Sequence, residues 1–420
     1  MVRPIAPVKS IMYQSPSPKD VYAYSPGICA LENGRLIGTM DIGGAGVPRY
    51  FKETVPFGIE GWRGCGQVFV SDDRGGSWRK TADFPFYHAR PFTAGKSIYV
   101  LGHAGDLRVI RSDDGGETWS RPVELTQGEN WHQAPANVCY VGENVYLVME
   151  RIVGEDQPGW PVSCIQPVLM RANVHDDLTK RESWKLAEVP AFRDVMDEDK
   201  TEYFGIPFYK TGRVDPCIVA PGRDCAPLGW LETNVVHIED PQHIWYDPTG
   251  RTFHLFMRAH TGRTGYCCVA KVVEQEDGSM KLELEKAPSG KALLYLPLPG
   301  GQMKFHILYD SETKLYWLLS TQATDSMIKP ECMPSNRYGL PDNERHRLQL
   351  HFSKNCVDWC FAGLVDMGET PLQSRHYASM CILGDNLYVL SRSGDSSALS
   401  AHDTNMITLH EVENFRSLAY

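Results

Sequence analysis

Ser71-Asp-Asp-Arg-Gly-Gly-Ser-Trp78 and Ser112-Asp-Asp-Gly-Gly-Glu-Thr-Trp119 lie 41 residues apart and share one pattern, Ser-x-Asp-x-Gly-x-(Ser/Thr)-Trp. Each follows an apolar, strand-forming run, Val68-Phe-Val70 or Val109-Ile110. Both carry the chemistry of a tight turn. The Asp side chains accept backbone N–H groups, Gly supplies positive φ, and Trp returns to the core. Two such turns mark a repeat architecture.

Outward from these turns a unit recurs: an apolar strand, a Gly-containing turn, a second apolar strand, then a third strand running to a turn and Trp. Six copies are read, some incomplete, led by Ile28–Leu31, Arg90–Phe92, Ala136–Val141, Val235–Ile238, Lys304–Leu308 and Tyr377–Leu383. The third and fifth end in worn versions of the turn, Asp176–Trp184 and Ser353–Trp359. The spacing predicts an all-β chain: a single β-propeller of four-stranded antiparallel blades over residues 1–420, six counted and a seventh left open. The segment around Ile11-Met-Tyr13 is expected to pair with the last blade and close the ring. Residues 190–232, rich in Pro, Gly and Asp, fit no unit and read as an insertion or an irregular extra blade.

The 420 residues carry a formal net charge of −10, which argues against a nucleic-acid partner. No apolar run reaches the ~18 residues that span a membrane, and the N-terminal segment lacks an apolar signal core. A cytoplasmic location is the expectation, or a secreted or periplasmic one if a leader has been removed. The 12 cysteines form no C-x-x-C pair, and several sit in strand-like runs, as buried free thiols do. No metal set and no cofactor are expected. Gly43-Gly-Ala-Gly46 lacks the Lys and helix of a phosphate loop.

The paired turns resemble the Asp-box (bacterial neuraminidase) repeat of the sialidase-like β-propellers. The resemblance implies that the boxes lie on the outer rim and that the site lies on the axis. Sialidases hold the substrate carboxylate with an Arg in a first-blade Arg-Ile-Pro motif; this chain has Ser25-Pro-Gly-Ile28 there. Their nucleophile is a Tyr opening a late blade, a place taken by Tyr377 in Arg375-His-Tyr-Ala-Ser-Met380. The Glu that activates it is expected near 390–392, where this chain reads Leu390-Ser-Arg392. His88 and His103, 15 residues apart, look like the pair in propeller lyases and rhamnosidases that act on glucuronate-containing glycans such as ulvan. The stretches Ser374-Arg-His-Tyr377 and His402-Asp-Thr-Asn405 resemble the same relatives.

In a propeller, starts of inner strands and ends of second strands converge on one funnel. The proton-transfer candidates are therefore His88, His103 and Tyr377, the last if neighbouring arginines depress its pKa. Arg90, His132, Arg151, Glu232, Asn234, Arg258, Lys304, Arg375 and Arg392 are the substrate-binding candidates. So much positive charge in one funnel implies an acidic oligosaccharide or polysaccharide. Among carboxylates, Asp41, Glu150, Glu232 and Asp240 can reach the funnel, but no spacing selects a glycosidase pair. The expected function is cleavage of a glycosidic bond at or next to a uronic acid, by lyase or atypical hydrolase chemistry. An exo-sialidase and a non-catalytic glycan-binding propeller are the alternatives.

Overall fold

The computed structural model describes residues 3–154, 160–187, 189–205, 214–262, 265–326, 328–334 and 344–420. Strand makes up 48% of it and helix 5%, so the strands pack against one another without a helical layer. Six antiparallel four-stranded blades form a β-propeller. Their inner strands are Tyr22–Ala30, Tyr87–Ala94, the split pair Trp131–His132 and Cys139–Val141, Gly229–His237, His306–Asp310 and Arg375–Leu383. Blades 1 to 6 are numbered in that order. Val8–Gln14 pairs with Met406–Val412, Ile11 opposite Thr408, so the expected closing strand completes blade 6.

The two Ser-x-Asp-x-Gly turns superpose in their bonding. Ser71 Oγ accepts the Gly75 N–H at 2.7 Å and Ser112 Oγ the Gly116 N–H at 2.9 Å. Asp73 and Asp114 each accept the N–H and hydroxyl four residues on. Gly75 and Gly116 sit at φ +82° and +89°, the conformation that glycine alone enters freely. Between blades 3 and 4, the described part of 190–232 is a short helix, Phe192–Val195, and a hairpin, Cys217–Ala220 with Arg223–Cys225, before blade 4 opens at Gly229. Residues 206–213 of that stretch lie outside the described residues.

Four inner strands carry the same irregularity. Three residues advance against two on the second strand between Tyr24 and Gly27, Tyr87 and Arg90, Leu231 and Asn234, and His376 and Ser379. Each step is a bulge with one residue in the left-handed region: Ser25 (φ 36°), His88 (53°), Glu232 (58°) and Tyr377 (49°). Holding a non-glycine residue there costs about 1–3 kcal/mol, and the bulge re-aims its side chain toward the axis.

The residue two places after each bulged one lies deeper, by about 6–7 Å at strand rise. At that depth side chains stitch the blades into a ring. Thr39 Oγ1 of blade 1 donates to Ala89 O at 2.7 Å. Arg90 donates to Asn137 O and Val148 O of blade 3. Asn137 clamps Val235 through both its N–H and C=O at 2.7 Å, and Asn234 clamps Ile307 N and Phe305 O. Lys304 bonds Ala378 O and Ser379 Oγ, and Ser379 Oγ returns to Pro26 O of blade 1 at 2.7 Å. Gly27 fits the ring because a Cβ there would stand 2.5 Å from Pro91 Cδ.

Candidate active site

Above the ring opens a funnel of about 880 Å³. Its wall follows from the bulges. Each bulged residue stands beside the second-strand residue paired just before the bulge: Ser25 by Asp41, His88 by His103, Glu232 by Arg258, Tyr377 by Arg392. Three of these four pairs line the funnel whole; in the first, Asp41 is buried behind it.

On the blade 2–3 side, three imidazoles converge. His88 Nδ1 and His103 Nε2 are 3.0 Å apart, and the His132 ring centre lies 5.2 Å and 5.9 Å from theirs. Tyr87 packs edge-on to both rings of the pair, and Phe57 to His88. Removal from bulk water disfavours the charged ring, and each neighbouring imidazole adds to that, so His88 and His103 are held well below the ordinary histidine range.

Opposite stands Tyr377, ringed by three guanidinium groups. Arg258 NH1 donates to its hydroxyl at 2.8 Å. The Arg345 and Arg392 guanidinium carbons lie 5.6 Å and 5.1 Å from its ring centre. Glu232 neighbours the same hydroxyl and lies 3.5 Å from Arg258. Burial outweighs the cations: the phenol is pushed up to about 12, with Glu232 raising it further and the arginines pulling it down. The sequence-based expectation of a depressed tyrosine is therefore corrected. Tyr377 is a neutral O–H at pH 7, suited to donate a proton.

Arg392 stacks over Tyr24 at 4.2 Å and bonds His402 O, while Tyr24 and His402 share the Asp403 carboxylate at 2.7 Å and 2.8 Å. Trp62 and Phe57 of blade 1 and Trp160 of the blade 3 loop form an apolar rim suited to sugar faces.

Of the predicted residues, His88, His103, His132, Glu232, Arg258, Tyr377 and Arg392 meet in this funnel. Five others do not. Arg90, Asn234 and Lys304 belong to the ring below, where each donates to backbone oxygens and Lys304 also to Ser379 Oγ. Arg151 is held by Glu129 and Gln166, and Arg375 by Asp366 at 2.7 Å and the carbonyls of Ser374 and Gly394. Glu232 alone of the four candidate carboxylates lines the funnel. Glu150 is buried behind it, accepts Thr233 N and Oγ1, and is pushed up to about 8 by burial; burial likewise raises Asp41. Asp240 is exposed elsewhere.

The sequence reading missed Arg345, Tyr24 and Trp160. Arg345 lies in the charged run Glu344-Arg-His-Arg347, a signal that was present; it bonds His376 Nδ1 at 2.9 Å. The carboxylate partner of the tyrosine, sought near 390–392, stands on blade 4 as Glu232.

No family model matches this chain, and no curated protein matches it. Solved structures do match over nearly its full length. A protein of unknown function from Dyadobacter fermentans has TM-score 0.52 at 13% identity, covering 98% of each chain. Trypanosoma rangeli sialidase in complex with 2,3-difluorosialic acid has TM-score 0.51 at 13% identity, covering 100% of this chain and 60% of that one. A Penicillium chrysogenum α-L-arabinanase complexed with arabinobiose has TM-score 0.49 at 11% identity, covering 97% and 98%. The chain has the sialidase-like propeller fold. At these identities the likeness extends to fold alone.

Proposed function

We propose that the funnel is the active site of a carbohydrate-active enzyme that cleaves a glycosidic bond beside a uronic acid. The observation that carries this is Tyr377, surrounded by Arg258, Arg345 and Arg392 and facing the His88–His103 pair. The arginines match a carboxylate in charge and fork geometry, and they stabilise the enolate-like state that forms when the adjacent C–H is lost. The imidazole pair, neutral, offers a lone pair to take the C5 proton. The Tyr377 hydroxyl returns a proton to the leaving oxygen. In that step the C5–H and C4–O bonds break and C4=C5 forms, so no oxidant or water is consumed. A sialidase of the same fold holds a carboxylate-bearing sugar, which agrees with an acidic substrate.

The Glu232–Tyr377 contact favours one other route, hydrolysis. There Glu232 takes the phenol proton, and the tyrosine oxygen bonds to the anomeric carbon as the bond to the aglycone oxygen breaks and that oxygen takes a proton from solvent. Water then displaces the tyrosine, releasing the sugar and restoring the phenol. Incubation with uronate-containing oligosaccharides and with sialyllactose separates the two. Elimination yields an unsaturated uronate that absorbs in the ultraviolet; hydrolysis releases sugar without that absorbance. Binding with neither product would leave a glycan-binding propeller.

A further inference from the structure

We propose that His88, His103 and His132 form a binding site for one divalent transition-metal ion of the zinc class, open on one side to the funnel. The three offer ligand nitrogens that all lie within 4.8 Å of one another. Ligands about 2.0–2.1 Å from a tetrahedral zinc stand about 3.4 Å apart, close to the 3.0 Å already separating His88 Nδ1 and His103 Nε2. Small ring movements bring the third nitrogen in.

The donor set selects the ion. Three imidazoles and no carboxylate suit zinc, cobalt or nickel; calcium and magnesium need oxygen. Three protein ligands also leave a fourth position, and here it faces the cavity. His88 is held at φ 53°, which aims its ring at the cluster. That backbone conformation carries an energetic cost that a bound ion would offset.

One consequence rests on the proposed cleavage: an ion held by His88 and His103 occupies the imidazoles that take the substrate proton. Zinc therefore suppresses turnover along its own occupancy curve.

The test is titration of chelator-treated protein with zinc chloride by calorimetry, and with cobalt chloride by visible absorption. One equivalent is expected, at micromolar affinity or tighter, with cobalt bands of a four-coordinate site. His132→Ala and His103→Ala are each expected to weaken zinc at least 100-fold while melting within a few degrees of the parent in chelator. His132→Asn serves as a milder second variant if alanine prevents folding. Absence of stoichiometric zinc in the parent, or zinc affinity unchanged in folded variants, overturns the site. Zinc bound with cleavage undiminished keeps the site and overturns the proton-transfer role of the pair. Cleavage without zinc binding does the reverse.

Discussion

The funnel wall and the polar ring beneath it are drawn from the same short segments, and they use their polar groups in opposite ways. His88 and Arg90, Glu232 and Asn234, Tyr377 and Ser379 are each two residues apart. The first of each pair is bulged, half-open to the cavity, or aimed at another functional side chain. The second is buried and bonded to backbone of the next blade. Cationic side chains in the ring satisfy carbonyls at the axis, where unpaired backbone would be costly. Cationic side chains in the wall gather around one hydroxyl. The difference shows that charge near a propeller axis has two separate uses, set by depth.

Substitutions across this divide should part cleanly. Tyr377→Phe removes the hydroxyl proposed as proton donor and keeps the ring packing. Turnover on the best substrate is expected to fall about 10³-fold, with the melting temperature within ~2 °C of the parent. Comparable initial rates would break the division. One layer down, Asn234→Ala strands the buried Ile307 N–H and Phe305 C=O. Urea unfolding should show a loss of about 2–4 kcal/mol, with turnover of the folded fraction changed less than severalfold. Gly27→Ala pushes a methyl against Pro91 and Thr39 in the ring, and about 1–3 kcal/mol of stability should be lost.

A pH series probes the blades away from both layers. His351, buried in blade 5 with its ring edge-on to Phe361, is lowered to about 4 by burial. A lowered histidine is neutral in the folded state and takes its proton more readily unfolded. Its contribution is intact above about 6.5 and declines as pH falls toward 4, by at most roughly 3 kcal/mol. His351→Gln should flatten that part of the stability–pH curve; an unchanged slope would assign the acid sensitivity to other groups.

The repeat, its six units and the closing strand were legible because strand alternation and turn chemistry are local. Depth along the axis was not. Arg90 and His88 looked equivalent as polar residues opening one strand, and only the bulge between Tyr87 and Arg90 separates their roles. Arg151 and Arg375 were placed on the right strand ends, but their partners, Glu129 and Asp366, are set by tertiary packing. Glu232 was read as a ligand-binding residue; its meeting with Tyr377 joins blades 4 and 6 across the axis, which no sequence spacing encodes.

Ring closure also sets an order of events. Val8 pairs with His410, so blade 6 is complete only when nearly the whole chain is available. Contacts of such separation carry a high loop-closure cost and are late to form. Blades 1 to 6 all contribute to the funnel wall. During synthesis, earlier blades can mature one by one, but the basin they share comes into being in a single step, when the first strand meets the last.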